Sequence, residues 1–213
     1  MKLKALKTNM KNWYFMAPDK PSRVGEDFFP EIDSSYIAEV KSDGFRCEVG
    51  RFNDKLHFIS RNNNELEVSD ELIAACASIP NGCAVDTELI CHTRIKAINK
   101  QFGLKIPLME KLMIFDVTWL DGDWIGRTHT LEQRRATQLF QSFVQGTLDS
   151  LANNDKVFRA PYVSGEMSKA LFESQKIYLI SEGIVVKKLR SKCIGSRTTS
   201  QDSPDWLKIK HRD

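Results

Sequence analysis

The chain has 213 residues, of which 41% are hydrophobic and 28% are charged, proportions that are ordinary for a globular protein. This length predicts one domain, or one domain with a short appendage, and the composition excludes a disordered chain, a collagen-like chain and a small disulfide scaffold. The net charge of +3 is unevenly spread: residues 1–11 carry +4, residues 12–186 carry −6 and residues 187–213 carry +5, so either basic end could face a polyanion or form a solvated tail.

From the sequence we expect neither a membrane anchor nor a secretion signal. No apolar run reaches the roughly 18 residues needed to cross a bilayer, and the lysine-rich start lacks the apolar segment of a signal peptide. The five cysteines are widely spaced and form no CxxC motif, which indicates reduced thiols: Cys47, Cys76, Cys83, Cys91 and Cys193. We therefore expect a cytoplasmic monomer, in a bacterium or in the host cell of a virus, with no membrane partner.

The first third of the chain is predicted to be rich in strands. Proline and glycine in residues 12–34 indicate that residues 1–34 form a loop-rich lead-in. Strands are then predicted at Tyr36–Lys41, Phe45–Arg51 and Leu56–Ser60, and Asp43-Gly44 between the first two predicts a hairpin. A helix is predicted over 70–79, with Ser69 as its N-cap and Asn81-Gly82 after its end.

The rest of the chain mixes strands with short helices. Strands are predicted at Ala84–Cys91, Leu112–Leu120, Glu182–Lys188 and Trp206–Lys210, and helices at 131–144, capped by Thr130, and within 166–180. The predicted strands and helices do not alternate as repeated βαβ units. The sequence therefore predicts an α+β fold with mostly antiparallel sheets.

One lysine lies near a predicted strand end in a motif that can carry chemistry, Glu39-Val-Lys41-Ser-Asp43-Gly44-Phe-Arg46. A lysine amine is a nucleophile once it is neutral, which burial or cationic neighbours favour. The ordinary alternative is an exposed lysine in a hairpin, and Lys-x-Asp-Gly by itself favours that alternative.

Five further motifs follow in order along the chain: Ser60-Arg61, Asp86-Thr-Glu88-Leu, Phe115-Asp-Val, Glu182-Gly-Ile-Val-Val-Lys187 and Trp206-Leu-Lys208-Ile-Lys210. Alternation in the last motif places Lys208 and Lys210 on one face of a strand. Each motif alone has an ordinary explanation, because strand-end acids are usually solvated and alternating lysines usually mark the wet face of an edge strand.

Together the six motifs resemble those of the covalent nucleotidyltransferase superfamily, which includes polynucleotide ligases and mRNA capping enzymes. The resemblance extends from Ala17 to Lys210. The connecting segments 114–122, 127–135 and 191–206 are most similar to those of ATP-dependent DNA ligases. The resemblance implies the ligase adenylation fold, in which mostly antiparallel sheets flanked by helices surround a central nucleotide cleft.

The same resemblance implies a reaction. Lys41 would attack the α-phosphorus of ATP to form lysyl-AMP, AMP would pass to the 5′-phosphate of nicked duplex DNA, and the 3′-hydroxyl would then seal the nick. Lys208 and Lys210 are implied as catalytic residues, which with Lys187 would favour a neutral amine by like-charge repulsion and offset phosphoryl charge. Free lysine has a pKa of about 10.4, so such help is needed near pH 7.

Further residues receive implied roles in binding. Nucleotide-binding roles fall to Glu39, Arg46, Arg61, Glu88, Phe115 and Lys187, metal-binding roles for Mg²⁺ or Mn²⁺ to Glu182 and Asp86, and DNA-backbone roles to Arg190, Lys192 and Arg197. A carboxylate only accepts hydrogen bonds, so Glu39 facing the base would favour the N6 amine of adenine over the carbonyl of guanine. Phe115 offers a ring on which adenine can stack.

DNA ligases normally continue beyond the last lysine pair into an oligonucleotide-binding barrel, whereas this chain ends three residues after Lys210. We therefore expect residues 1–213 to be an adenylation domain without the barrel, with weak and salt-sensitive DNA binding. Two alternatives stay open. One is an RNA ligase, and the other is a catalytically idle nucleotide- or DNA-binding module that binds ATP without a covalent adduct.

Overall fold

The computed structural model describes residues 20–61, 64–90, 111–146, 156–178, 181–194 and 202–211. Its strands are β1 (Lys20–Arg23), β2 (Tyr36–Ser42), β3 (Gly44–Phe52), β4 (Lys55–Ser60), β5 (Cys83–Ile90), β6 (Lys111–Leu120), β7 (Asp123–Trp124), β8 (Val157–Arg159), β9 (Tyr162–Ser164), β10 (Ser181–Lys188) and β11 (Asp202–Lys210). Its α-helices are α1 (Asp70–Ala75), α2 (Leu131–Arg135), α3 (Gln138–Ser142) and α4 (Ser168–Gln175). Within these ranges no helix has the length and apolar character to cross a membrane.

The strands form two sheets. One has five strands in the order β1–β11–β10–β2–β9, and the other has the order β4–β3–β5–β6–β7 with β8 beside β6. Among the described strand pairs, β1 with β11 and β6 with β8 run parallel and the remainder run antiparallel. The predicted α+β class with mostly antiparallel sheets is confirmed.

Each sheet buries one face in its own apolar cluster. Ala38 and Val40 of β2 and Ile184 and Val186 of β10 belong to the cluster of the five-stranded sheet, as period-2 alternation requires. Met113 of the six-stranded sheet joins the same cluster, so the two sheets are packed together at this point. Full burial of each Val, Ile or Met side chain among them stabilises the fold by about 1.5–3 kcal/mol, before the entropy of ordering it is subtracted.

The predicted strands of the two sheets are confirmed with small changes at their ends, but other predicted elements are corrected. The predicted lead-in contains β1 and a 3-10 helix at Glu26–Glu31. The predicted helix 131–144 is two helices, because the hydroxyl of Thr137 accepts a hydrogen bond from the backbone of Phe140 and caps a new start. The caps predicted at Ser69 and Thr130 are confirmed, although α1 ends at Ala75.

The hairpin predicted at Asp43-Gly44 is wrong. β2 pairs with β9 and β10, whereas β3 pairs with β4 and β5, so the chain passes here from one sheet to the other. Glycine is required because a Cβ on Gly44 would collide with the carbonyl oxygen of Leu89. Asn53-Asp54 and Asp121-Gly122, which have positive φ angles, form the turns of the β3–β4 and β6–β7 hairpins.

Candidate functional site

A cleft of about 530 Å³ opens between the two sheets, a size that suits a small-molecule ligand. Its lining combines residues from distant parts of the chain. Ten of the predicted site residues contribute to it: Glu39, Lys41, Arg46, Arg61, Glu88, Phe115, Glu182, Lys187, Lys208 and Lys210. The fold therefore brings into one cavity most of the side chains that the motifs singled out.

Strand register explains how the five-stranded sheet presents its charges. In the antiparallel ladder, Lys41 of β2 and Lys210 of β11 flank Gly183 of β10. Two residues further along β10, Glu39 and Lys208 flank Val185 in the same way. Paired residues point to the same face of a sheet. The alternation predicted for Lys208 and Lys210 is confirmed, because both line the cleft while Leu207 and Ile209, which alternate with them, are buried in the core.

Glu182 reaches the cleft through a β-bulge. Ser181 pairs with Ser42 but Gly183 pairs with Lys41, so Glu182 is an extra residue in β10. Gly183 has a φ of 138°, a region that favours glycine. Bulges re-aim side chains in this way, and this one turns the Glu182 carboxylate towards Lys41.

The Glu182 carboxylate binds two lysines through one oxygen. Its Oε2 accepts a hydrogen bond from Lys41 Nζ over 2.6 Å and pairs with Lys210 Nζ at 2.9 Å. Burial alone would raise the pKa of Glu182, but the hydrogen bonds and charges of the two lysines outweigh burial and lower it to about 2. Glu182 is therefore an anion at neutral pH and holds the two ammonium groups close together.

Lys208 extends this group of cations. Burial lowers the pKa of Lys208, the charge of Asp202 opposes that shift, and the charges of Lys41, Lys210 and Lys20 add to it. Within the described residues Lys208 forms no ion pair. A cleft that holds an ammonium group without a carboxylate partner is suited to bind an anion such as a phosphate.

A second buried carboxylate, Glu39, lies between two cations. Its Oε2 is 2.5 Å from Lys187 Nζ, and its Oε1 accepts a hydrogen bond from Arg135 Nη2. Burial lowers the pKa of Lys187, with Glu39 opposing that shift and Arg135 reinforcing it. Glu39 thus presents a fixed acceptor beside a fixed donor at one end of the cleft.

Aromatic rings lie beside the same end. Lys187 Nζ is 4.6 Å from the centre of the Phe115 ring and 4.5 Å from that of Trp206, distances at which a cation interacts with a ring face. Phe115 is itself an unpaired residue in a bulge, because Asp86 pairs with Asp116 and Thr87 pairs with Ile114. The bulge lets Phe115 line the cleft.

The wall from the six-stranded sheet carries Arg46 and Glu88, which face each other across β3 and β5. Burial raises the pKa of Glu88 to about 7, although Lys41 and Arg46 act in the opposite direction. Asp86 does not line the cleft: it is buried, and its two oxygens accept hydrogen bonds from Arg46 at 3.1 and 2.5 Å. Asp86 therefore holds Arg46 in place.

These positions bear on the predicted metal site. Among the described residues no group of three or more His, Cys, Asp and Glu side chains could hold a metal ion. Glu182 and Glu88 both line the cleft and offer hard oxygen donors, which fits Mg²⁺ sharing its ligands with water and phosphate. The role predicted for Asp86 stays a prediction, and its oxygens already have partners.

Two of the basic residues predicted to contact DNA, Arg190 and Lys192, lie outside the cleft lining. Arg190 and Lys192 are exposed just after β10, and Arg197 lies outside the described residues. Conversely, sequence reasoning assigned no role to Arg134 and Arg135, which are both buried. The sequence signal that could have identified them is a pair of adjacent arginines in a predicted amphipathic helix. Such a helix buries one face only, and arginines are rarely buried unless they have partners.

Comparison with known proteins supplies an independent line of evidence. The family model described as ATP dependent DNA ligase domain matches residues 20–210. The SPbeta prophage-derived DNA ligase-like protein LigB of Bacillus subtilis (strain 168) is 28% identical over 192 residues, which cover 86% of this chain and 64% of that protein. The chain therefore spans less than two thirds of the length of this relative.

Solved structures share the fold. A mycobacterial DNA ligase D complexed with ATP and MES has a TM-score of 0.61 and 21% identity, over 93% of this chain and 62% of that chain. The ATP-dependent DNA ligase from bacteriophage T7, in complex with ATP, has a TM-score of 0.56 and 14% identity, over 91% of this chain and 68% of that chain. The predicted ligase adenylation fold is confirmed by these similarities.

Proposed function

Because the chain belongs to the ATP-dependent DNA ligase domain family, we propose that it forms lysyl-AMP on Lys41 from ATP and passes the AMP to the 5′-phosphate of nicked duplex DNA. One observation carries the proposal: Lys41 lies in a cleft between two sheets and shares the Glu182 carboxylate with Lys210. A nucleophilic amine, a second cation and a metal-binding anion within hydrogen-bonding distance are the groups that nucleotidyl transfer needs.

In the first step a bond forms between Lys41 Nζ and the α-phosphorus, and the bond from that phosphorus to the pyrophosphate oxygen breaks. Lys41 attacks in its neutral form. Lys208 and Lys210 lie on the same face of the sheet, where their charges would stabilise the charged phosphoryl oxygens. Arg61, which also lines the cleft, would contact phosphate or ribose.

Base recognition falls to the other end of the cleft. Glu39 offers an acceptor and Lys187 a donor within one ion pair, and the edge of adenine presents an N6 amine donor next to the N1 acceptor. Guanine presents the reverse order, a carbonyl acceptor and an N–H donor. This complementarity supports ATP over GTP, and the Phe115 ring supports stacking of the base.

A divalent metal, Mg²⁺ or Mn²⁺, would neutralise phosphate charge when bound. Glu182 and Glu88 are the cleft carboxylates that would hold it. Asp86 then acts behind the site by orienting Arg46.

For the later steps, the exposed residues Arg190 and Lys192 would contact backbone phosphates of the nicked strand. We assign residues 1–213 to the adenylation domain as part of this proposal, and we expect DNA binding by this region alone to weaken steeply with salt.

Intact-mass spectrometry after incubation with ATP and Mg²⁺ tests the first step. Wild type should gain the mass of one AMP. Lys41→Arg keeps the positive charge beside Glu182 but cannot supply a neutral amine, so it should gain nothing, whereas Lys176→Ala, at an exposed lysine paired with Glu173, should behave as wild type.

A second assay tests the DNA step with pre-adenylated nicked duplexes that carry a 3′-deoxyribose or a 3′-ribose end. Preferential sealing of the deoxyribose end supports the DNA ligase. Preference for the ribose end would support an RNA ligase instead, and ATP binding without adduct or sealing would indicate an idle module.

A further inference from the structure

Arg135 lies behind the cleft and touches two groups that face it. Its Nη2 donates hydrogen bonds to Glu39 Oε1 and to the carbonyl oxygen of Phe115, the latter over 2.8 Å. Arg135 does not line the cavity itself. Arg135 Nη2 therefore links the Glu39 carboxylate to the backbone of Phe115, whose ring lines the cleft.

Two aromatic rings lie beside the Arg135 guanidinium. Its Cζ lies 5.2 Å from the centres of the Phe140 and Tyr162 rings. Cation–π contacts on a planar guanidinium help to fix its orientation, and a lysine ammonium in the same place would not be oriented in this way.

The neighbouring residue, Arg134, fixes the same segment of β6. Arg134 Nε and Nη2 donate to the Asp116 carboxylate at 2.6–3.1 Å. Two consecutive residues of α2 thus bind two consecutive residues of the β6 bulge. The position of Phe115 relative to Glu39 is set from α2, not from the strand alone.

Burial of Arg135 carries a cost in stability. Arg135 Nε and Nη1 are buried without a hydrogen-bond partner, and a buried unsatisfied donor costs about 1–3 kcal/mol. Unsatisfied groups of this kind are expected mainly at functional or strained sites.

We propose that Arg135 is a positioning residue that determines base specificity, because it sets the orientation of the Glu39 carboxylate relative to the Phe115 ring. With Arg135 in place, Glu39 presents its free lone pairs to an amino group on a base that is stacked at Phe115. Without it, Glu39 is held by Lys187 alone and can rotate about its side-chain bonds. The inference rests on the proposed function and concerns only the choice of nucleotide.

The test compares ATP with ITP, in which a carbonyl replaces the N6 amine, as donors for lysyl-nucleotide formation. In Arg135→Lys the ratio of kcat/KM for ATP to that for ITP should fall about tenfold or more, through KM for ATP. The matched control is Arg159→Lys: Arg159 lies 5.4 Å from the same Phe140 ring but donates to Gln141. That control should keep the wild-type ratio.

A double-mutant cycle separates positioning from general loosening. If Arg135 acts through Glu39, then Glu39→Gln removes the preference, and adding Arg135→Lys should change the ratio little further. An unchanged ratio in folded Arg135→Lys, or an equal loss for both nucleotides, would overturn the inference.

If Arg135→Lys fails to fold, a substitution at Tyr162 tests the inference while Arg135 itself stays unchanged. Tyr162 is 38% exposed and forms one of the two rings around Arg135. Tyr162→Ala should lower the ATP to ITP ratio, whereas Tyr162→Phe should preserve it, and equal ratios in these two variants would contradict the inference.

If wild type forms neither lysyl-AMP nor lysyl-IMP, the proposed function fails. The inference is then tested separately by calorimetric binding of ATP and ITP to the same variants. The preference for ATP, measured as the Kd for ITP divided by the Kd for ATP, should fall in the same variants.

Discussion

Lys41 and Glu182 are 141 positions apart in the chain, yet Lys41 Nζ donates a hydrogen bond to Glu182 Oε2 over 2.6 Å. The contact joins β2 to the bulge of β10, and Lys210 of β11 reaches the same oxygen at 2.9 Å. A single carboxylate on β10 therefore holds two lysines from the two strands that flank it, β2 and β11.

Replacing Glu182 tests its role directly. Glu182→Gln keeps the shape but removes the anion that holds Lys41 and Lys210, and we expect lysyl-AMP formation to fall about 100-fold or more. The rate is measured by single-turnover adenylation with labelled ATP. Glu173→Gln, which alters an exposed pair with Lys176, is the control and should leave the rate unchanged. Equal rates for wild type and Glu182→Gln would refute the role.

The bulge itself is tested at Gly183. Alanine there would adopt a strained φ, and its Cβ would collide with the carbonyl oxygen of Ile209. We expect Gly183→Ala to lose about 2–6 kcal/mol of unfolding free energy and to lose adenylation.

Gly122→Ala is the matched control for that substitution. Gly122 also has a positive φ, of 87°, but no atom of the described residues lies within 4 Å of its Cβ position, so we expect a loss of about 1–2 kcal/mol and normal adenylation. Urea denaturation measures both variants. Similar losses in the two would show that the contact with β11 is unimportant.

Glu48 makes stability depend on pH. Burial raises the pKa of Glu48 to about 8, although a hydrogen bond from Thr118 acts against it. Between the unfolded pKa of about 4.3 and the folded pKa, the folded protein holds a proton that the unfolded chain has lost, so stability falls as pH rises through that window.

Glu48→Gln mimics the protonated side chain and should remove this part of the pH dependence. We expect its Tm to exceed that of wild type by on the order of 5 °C at pH 8, with a smaller difference at pH 5. Thermal melts at both pH values measure the change. The contributions of other titrating groups cancel in the difference between the two proteins. A Tm difference that is the same at pH 5 and pH 8 would contradict the assignment.

Asp116 and Arg134 form a fully buried ion pair. Burial alone would lower the pKa of Arg134, but the charge and hydrogen bonds of Asp116 raise it. Asp116→Asn leaves the arginine charge uncompensated, and we expect a loss of about 3–5 kcal/mol in urea denaturation. Asp205→Asn breaks the exposed pair with Lys188 and should cost about 0–1 kcal/mol. A loss of the smaller size for Asp116→Asn would disprove this assignment.

Much of the cleft could be predicted because strand periodicity is local. In β11, alternation alone places Lys208 and Lys210 on one face and Leu207 and Ile209 on the other, and the structure agrees. The capped starts of α1 and α2 were predictable for the same reason, since a cap depends on side chains within three residues.

Alternation fails where the ladder is irregular. Regular period-2 spacing would put Glu182 and Lys187, five residues apart, on opposite faces of β10, yet both line the cleft. The bulge at Glu182 resolves the conflict. A bulge depends on the partner strand, so the residues of β10 alone do not reveal it.

The sequence by itself determined which residue types occur in which order, and through them the fold class, the family and ten of the side chains that line the cleft. The tertiary structure alone decided that Asp43-Gly44 joins two sheets instead of closing a hairpin, that Asp86 holds Arg46, and that Arg135 holds Glu39. The physical reason is that hydrophobic alternation and capping act between near neighbours, whereas strand pairing, bulges and buried ion pairs depend on groups far apart in the chain.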